Sequence, residues 1–248
     1  MNTSDTKMPE VPAILLEELK RIKGAEAILL TGSRAIGKAT KNSDWDFFVM
    51  LKDGMPRWRK TYKVDGTWLE LLCNDEKQIK KEFEEDKKEG RGVTTYMFAT
   101  GYILRDSSSG ILQHLTKLAK RNWEKRPTKL SQRDLNFINY DISTYIQDIE
   151  DCLHDNNPAL LLVNYAVNEL VNYDFKLRGE WLPRPKDRLA VFAKESKEAY
   201  RLVQEINQSE DWKIKAELAI KFGNMIGKKF NLPLDGQLYI PPKPKELK

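Results

Sequence analysis

Two short stretches hold the side chains that can do chemistry: Thr31-Gly32-Ser33-Arg34, and Ser43-Asp44-Trp45-Asp46 further along. A Gly-Ser turn can hold a phosphate through backbone N–H groups and a hydroxyl. Carboxylates two residues apart can hold Mg²⁺ against that phosphate. Together they point to metal-assisted chemistry on a nucleotide.

The flanking residues supply the elements that must position this set. Ala27-Ile28-Leu29-Leu30 is an apolar run ending at Thr31-Gly32-Ser33, the pattern of a buried strand running into a turn. Asp44 to Leu51 is aromatic and apolar and predicts a second strand. Alternation places Asp44 and Asp46 on one face and Trp45, Phe47 and Val49 on the other. A rise of about 3.3 Å per residue separates the two aspartate Cα atoms by about 7 Å. Their side chains can then converge on one ion, or on a pair about 3.5–4 Å apart. Thr67 to Cys73, entered from Asp65-Gly66, predicts a third strand with Glu70 inside an apolar run. A buried charge is unfavourable by several kcal/mol without a partner, on the order given for single ions. Glu70 is therefore either a third metal ligand or a residue on a solvated edge.

Gly32-Ser33, Ser43-Asp44-x-Asp46 and a later strand carboxylate resemble the DNA polymerase β-type nucleotidyltransferase superfamily, and within it the small kanamycin and aminoglycoside nucleotidyltransferase-like proteins. The motif match spans residues 27–73. A weaker likeness continues through Gly101 to Asp106, a strand followed by a helix start. The family's third carboxylate is often Asp, and here it is Glu70, which keeps the charge. The resemblance implies transfer of a nucleoside monophosphate from an NTP, ATP above all, to a hydroxyl, with release of pyrophosphate and two Mg²⁺ ions as cofactors. It implies that Asp44, Asp46 and Glu70 bind metal, with Glu70 on the acceptor side. Gly32, Ser33 and Ser43 would contact phosphate. Arg34 and Lys38 lie near enough to reach the triphosphate, although Lys38 reads equally well as surface charge. The acceptor implied is a small molecule, with an aminoglycoside-like antibiotic, and hence a resistance role, as one case. Homodimers that share a site are a further family arrangement.

Composition bounds the rest. The chain has 248 residues, 40% hydrophobic and 32% charged, enough for two modest domains. No apolar run approaches the roughly 18 residues of a membrane span, and Met1 to Pro12 lacks the apolar core of a signal peptide. Cys73 and Cys152 read as reduced core thiols of a cytoplasmic protein. His114 and His154 are too few for a zinc site. Residues 1–126 carry a net charge of +5 and the remainder 0. A basic first half suits a triphosphate. No aromatic–basic stripe of the kind that stacks bases is seen, so nucleic acid is not expected as a partner. The run from Lys77 to Lys88 mixes both signs and reads as a solvated helix face. The tail Pro241 to Lys245 is expected to be extended.

The expected fold is α+β. Residues 1–126 would form a nucleotidyltransferase-type mixed β-sheet domain with flanking helices, and residues 127–248 an all-α helical bundle. Ser131 with Asp134 forms a capping pair, and Leu135, Ile138, Ile142, Tyr145, Ile149 and Cys152 follow as one helical stripe. A second helix is predicted from Asn157-Pro158 to near Gly179, apolar nearly all round and so central. Further helices are predicted over about Pro185 to Ile206 and Asp211 to Phe230. Trp181 to Lys186 reads as a rigid linker with its Trp packed inside, or as a flap over a nucleotide. The first bundle helix carries Asp134, Asp141, Asp148, Glu150, Asp151 and Asp155 against Arg133 alone. These are a solvated flank or an acidic wall facing the cleft. By the resemblance, Asp141 or Asp148 would serve as the general base.

Two other classes of function stay open. One is a nucleotidyltransferase acting on protein or RNA, as in antitoxin-like members. The helical half lacks the Arg-then-His pattern of the partner ribonucleases. The other is a nucleotide-binding regulator without turnover, whose expected mark is a broken carboxylate set.

Overall fold

The computed structural model describes residues 8–238, and the tail expectation for Pro241 to Lys245 lies outside them. The chain divides into two compact units between Pro127 and Thr128.

The first unit is built on five strands: β1 (Ala25–Thr31), β2 (Trp45–Leu51), β3 (Trp58–Val64), β4 (Thr67–Asn74) and β5 (Tyr102–Arg105). Their order is β3-β4-β2-β1-β5. β2 and β4 run parallel, and the other pairs are antiparallel. Every residue of β2 is buried, because the strand has a neighbour on each side and helices on each face. Ile28, Leu30, Phe47, Val49, Leu69 and Leu71 pack on one face, against Leu15 and Leu19 of α1 (Ala13–Lys20). Ala27, Leu29, Phe48 and Met50 line the other face. They meet Ile79 and Phe83 of α3 (Glu76–Glu89), Phe98 of α4 (Val93–Thr100) and Leu112 and Leu115 of α5 (Ile111–Glu124). A four-residue helical turn, α2 (Gly32–Ala35), follows β1. The fold class is the α+β, mixed-sheet arrangement expected.

The mixed-charge run forms α3, but it is not wholly solvated. Asp86 is buried and accepts hydrogen bonds from the Val93 (3.0 Å) and Thr95 (2.6 Å) backbone N–H groups. It thus caps α4 from the neighbouring helix, satisfying donors that a helix start leaves open. Burial raises its carboxyl above the usual range, and the Thr95 and Val93 bonds oppose that.

The second unit is all helix: α6 (Gln132–His154), α7 (Leu160–Leu177), α8 (Pro185–Glu195), α9 (Lys197–Gln208) and α10 (Trp212–Phe230). Ser131 and Asp134 form a full capping box on α6, and Asp211 caps α10. Ile138, Ile142, Val163, Leu170, Phe192, Val203 and Phe222 share one core.

Three sequence expectations need correcting here. α7 begins at Leu160, beyond Pro158, and one side of its first turn is open, with Leu161 87% exposed while Val163 is buried. Its early turns bury one side only, through Val163, Ala166 and Val167, and it is buried all round from Leu170 to Phe175. The helix expected over Pro185 to Ile206 is two helices broken at Ser196. No Gly or Pro marks the break. The chain turns there because the buried Ser196 hydroxyl donates to Asp174 Oδ2 at 2.9 Å. In the segment after α7 it is Leu182 that joins the core, with Trp181 half-buried.

Asp174 is fully buried on α7 and also accepts from Arg178 Nε (2.8 Å) and Lys229 Nζ (2.6 Å). This carboxylate ties α7, the α8–α9 break and α10 together. Removing one charge from a buried set leaves the others uncompensated. Asp174→Asn should therefore destabilise the helical unit by about 3 kcal/mol, read as a lower urea midpoint for the loss of helical signal. An unchanged midpoint would show that the network contributes only to conformation.

Among the described residues, no helix is long and apolar enough to cross a membrane.

Candidate active site

β1 delivers its C-terminal end to the site. Thr31 pairs with Asp46 across the β1–β2 ladder, and Gly32 follows with φ of +72°. A Cβ on Gly32 would stand 1.8 Å from Asp46 Oδ2. The sequence reading gave Gly32 the task of admitting a phosphate. The structure adds a nearer reason, that only glycine leaves room for the Asp46 carboxylate. Ser33 is buried on α2, and its carbonyl accepts from Lys38 N–H at 2.9 Å. That bond closes the loop after α2.

Arg34 joins the two sequence motifs. Its Nε donates to the Asp44 carbonyl (3.0 Å), Nη2 donates to the Ser43 carbonyl (2.6 Å), and the guanidinium lies 4.4 Å from the centre of the Trp45 ring. A planar fork of donors stacked on an aromatic ring is something Arg does and Lys cannot. The Ser43 hydroxyl accepts from Thr40 N–H at 2.8 Å, which closes the approach to Asp44. Lys38 is exposed on the same loop.

The parallel pairing of β2 and β4 sets Asp46 directly beside Glu70. Asp46 and Glu70 are 8% and 9% exposed, and Asp44 is half-buried just ahead of β2. One carboxylate oxygen from each of the three lies within 4.8 Å of the other two. Three anions this close repel one another, at about 1–4 kcal/mol per pair near a surface. Hard oxygen donors in this number suit Mg²⁺, which takes one or two carboxylates and completes its shell with waters and phosphate oxygens. The residues present therefore fit the cation that the sequence reading called for.

Glu70 has a protein partner that the sequence reading missed. Arg59, on β3, donates through Nε to Glu70 Oε1 at 2.6 Å, and its Nη2 forms an ion pair with the same oxygen. Alternation along β3 was the available signal, since Arg59 and Glu70 fall on one face once the hairpin register is known. A cation at Glu70 competes with a bound metal. Arg59→Ala should tighten Mn²⁺ binding about threefold, a modest effect because the guanidinium is largely exposed. Titration calorimetry would read it, and unchanged or weaker binding would remove Glu70 from the metal set.

Asp141 lies on α6, in the helical unit. It accepts the Tyr173 hydroxyl at 2.5 Å. Burial first, and Asp141 second, push the Tyr173 hydroxyl far above its usual range, so that it stays a donor. Cys73 is buried and Cys152 half-buried, both free, and burial pushes the Cys73 thiol up to about 12.

The comparisons with known proteins agree with this geometry. The nucleotidyltransferase domain family matches residues 13–126. Among solved structures, the chain is similar to a nucleotidyltransferase-like protein from Exiguobacterium sibiricum 255-15, at 13% identity and a TM-score of 0.53. That match covers 87% of this chain and 72% of the other, and at this identity it speaks for the fold alone. No curated protein matches the chain. With a mixed sheet, a Gly-Ser turn and three carboxylates converging from the start of β2 and from the neighbouring β4, residues 13–126 are a nucleotidyltransferase domain of the DNA polymerase β-type superfamily.

Proposed function

We propose that this chain transfers a nucleoside monophosphate, AMP in the first instance, from an NTP to the hydroxyl of a small-molecule acceptor. The observation that carries this reading is the convergence of Asp44, Asp46 and Glu70 within 4.8 Å. The acceptor oxygen forms a bond to the α-phosphorus, the bond from that phosphorus to the bridging oxygen breaks, and pyrophosphate leaves with the electron pair. When bound, two Mg²⁺ ions supply neutralisation of phosphate charge and acidify the acceptor hydroxyl. Asp44 and Asp46 would hold both ions, and Glu70 the one nearer the acceptor. The Gly32 and Ser33 backbone, with the Ser33 hydroxyl, would cradle the triphosphate. Arg34 holds the Ser43–Asp44 backbone in place, with Lys38 and Ser43 near enough to add to phosphate binding. Asp141, the general base that the resemblance implies, lies in the helical unit, and its oxygens carry lone pairs beyond the one that Tyr173 engages. Self-association into a dimer belongs to the same reading.

An intact carboxylate set supports turnover over a binding role. The deciding experiment is transfer of α-labelled ATP with Mg²⁺ to a panel of aminoglycosides, nucleotides, RNA and protein, with Asp46→Ala as the blank. Label on a small molecule, absent from the blank, is the expected result. Label on RNA or protein, with none on a small molecule, would replace this reading with the macromolecular, antitoxin-like one. No label on any acceptor would turn it toward nucleotide binding.

A further inference from the structure

The sheet face that bears the carboxylates continues beyond them. β3 is the edge strand next to β4, and its register sets Thr61 opposite Glu70, Lys63 opposite Trp68 and Arg59 opposite Leu72. Directly opposed residues share a face. Arg59, Thr61 and Lys63 therefore stand on the carboxylate face, while Trp58, Tyr62 and Val64 pack into the core on the other. α3, α4 and α5 cover the carboxylate face over Phe48 and Met50. At the β3–β4 corner Arg59, Thr61, Lys63 and Trp68 are exposed, Trp68 by 46%. Lys63 Nζ stands 4.9 Å from the centre of the Trp68 ring.

This corner has a definite place relative to the reaction. The Gly32-Ser33 turn follows β1, and Glu70 lies on the opposite side of β2, toward β3. In an in-line transfer the attacking and leaving oxygens lie on opposite sides of the phosphorus. A triphosphate held at the turn thus leaves the acceptor the Glu70 side, which opens onto Thr61, Lys63 and Trp68.

We propose that the β3–β4 edge binds the acceptor, and that the acceptor is a nucleoside phosphate, free or at the end of an RNA strand. The proposal rests on the nucleotidyl-transfer reading of the three carboxylates. An exposed indole beside cations is the surface that a flat base and its phosphate need: the ring stacks, whatever the base, and the cations take the phosphate. One face of the Trp68 ring carries Lys63, and an aromatic ring has two. Trp58, on the same ribbon, shows where a purely structural tryptophan goes, half-buried against the core. Arg59 and Lys63 also repel a polycationic acceptor, so the corner suits a nucleotide better than an aminoglycoside. Lys63 and Trp68 meet only through the hairpin register, so no aromatic–basic stripe shows in the sequence.

The test uses the full chain with Mg²⁺ and a saturating non-hydrolysable ATP analogue, whose own binding is measured first. The probe is a short 5′-labelled oligoribonucleotide followed by anisotropy, with AMP as competitor. Trp68→Ala should weaken probe binding about tenfold, and Lys63→Glu by a similar factor. Lys60→Glu, the same charge reversal on the other face of β3, should leave it unchanged. Displacement by AMP would identify a free nucleotide as sufficient, and displacement only by unlabelled oligonucleotide a strand end. Analogue bound without the probe would overturn this inference and leave the transfer reading standing. So would probe binding that ignores Trp68→Ala, or that Lys60→Glu weakens as much as Lys63→Glu. Failure of the analogue to bind would overturn both.

Discussion

Asp46→Asn should lower nucleotidyl transfer at least about 1,000-fold while raising the thermal stability of the metal-free protein. The two effects share one cause. Asp46 is nearly buried, beside Glu70 on the parallel strand and within a few ångströms of Asp44. Asparagine has the same outline, so β2 keeps its place. It carries no charge, however, and so loses the attraction for a divalent cation on which the rate depends. Without the cation, the wild-type site holds three carboxylates within 4.8 Å that repel one another, a repulsion that the Arg59–Glu70 pair offsets on the Glu70 side. Relief of that repulsion by about 1 kcal/mol would appear as a rise of roughly 2–4 °C in Tm for a chain of this size. Melting in EDTA and α-label transfer in Mg²⁺ check the two halves separately. Activity within tenfold of wild type would refute the metal assignment. Loss of activity with a lowered Tm would mean that Asp46 is structural instead.

Gly32→Ala should be nearly as damaging to the rate, and should destabilise the protein as well. The added methyl carbon would stand 1.8 Å from Asp46 Oδ2 and 2.6 Å from its Cγ, at a φ of +72° that L side chains rarely adopt. Either the carboxylate leaves the site or the β1–α2 junction shifts, and either breaks the alignment of turn and carboxylates. We expect a loss of about 100-fold or more in transfer and about 1–3 kcal/mol in stability, the range for strain at a special backbone angle. A mutant cycle isolates the cause. In an Asp46→Ala background the oxygen and Cγ are gone and only the 2.9 Å approach to the residue-46 Cβ remains, so the stability loss from Gly32→Ala should shrink to that contact and the backbone part. An undiminished loss would place the strain in the backbone and that contact alone.

Much of the site was legible because its parts are local. Apolar runs ending in Thr31-Gly32 and beginning at Trp45 form buried strands for any chain that must hide them. A period of two then settles which side of β2 Asp46 occupies. Ser131 and Asp211 cap their helices through bonds spanning two or three residues, a distance that spacing alone specifies. The Ser196 break was not legible, because its cause is Asp174, on a different helix. Nor was the exposure of Leu161 at the start of α7, since composition records how apolar a helix is and not which side its neighbours cover.

By itself the sequence determined the identity and order of the carboxylates, the turn before them, and the division into a sheet-based half and a helical one. Those features depend on residue type and short-range periodicity. Only the tertiary structure decided that Gly32 makes room for Asp46, that Arg34 clamps the Ser43–Asp44 backbone, that Arg59 holds Glu70, and that Lys63 and Trp68 share a face with the carboxylates. Each of these depends on strand register, and a shift of one residue reverses every side chain on a strand. Register is set by the packing of the whole sheet, which no local stretch of sequence contains.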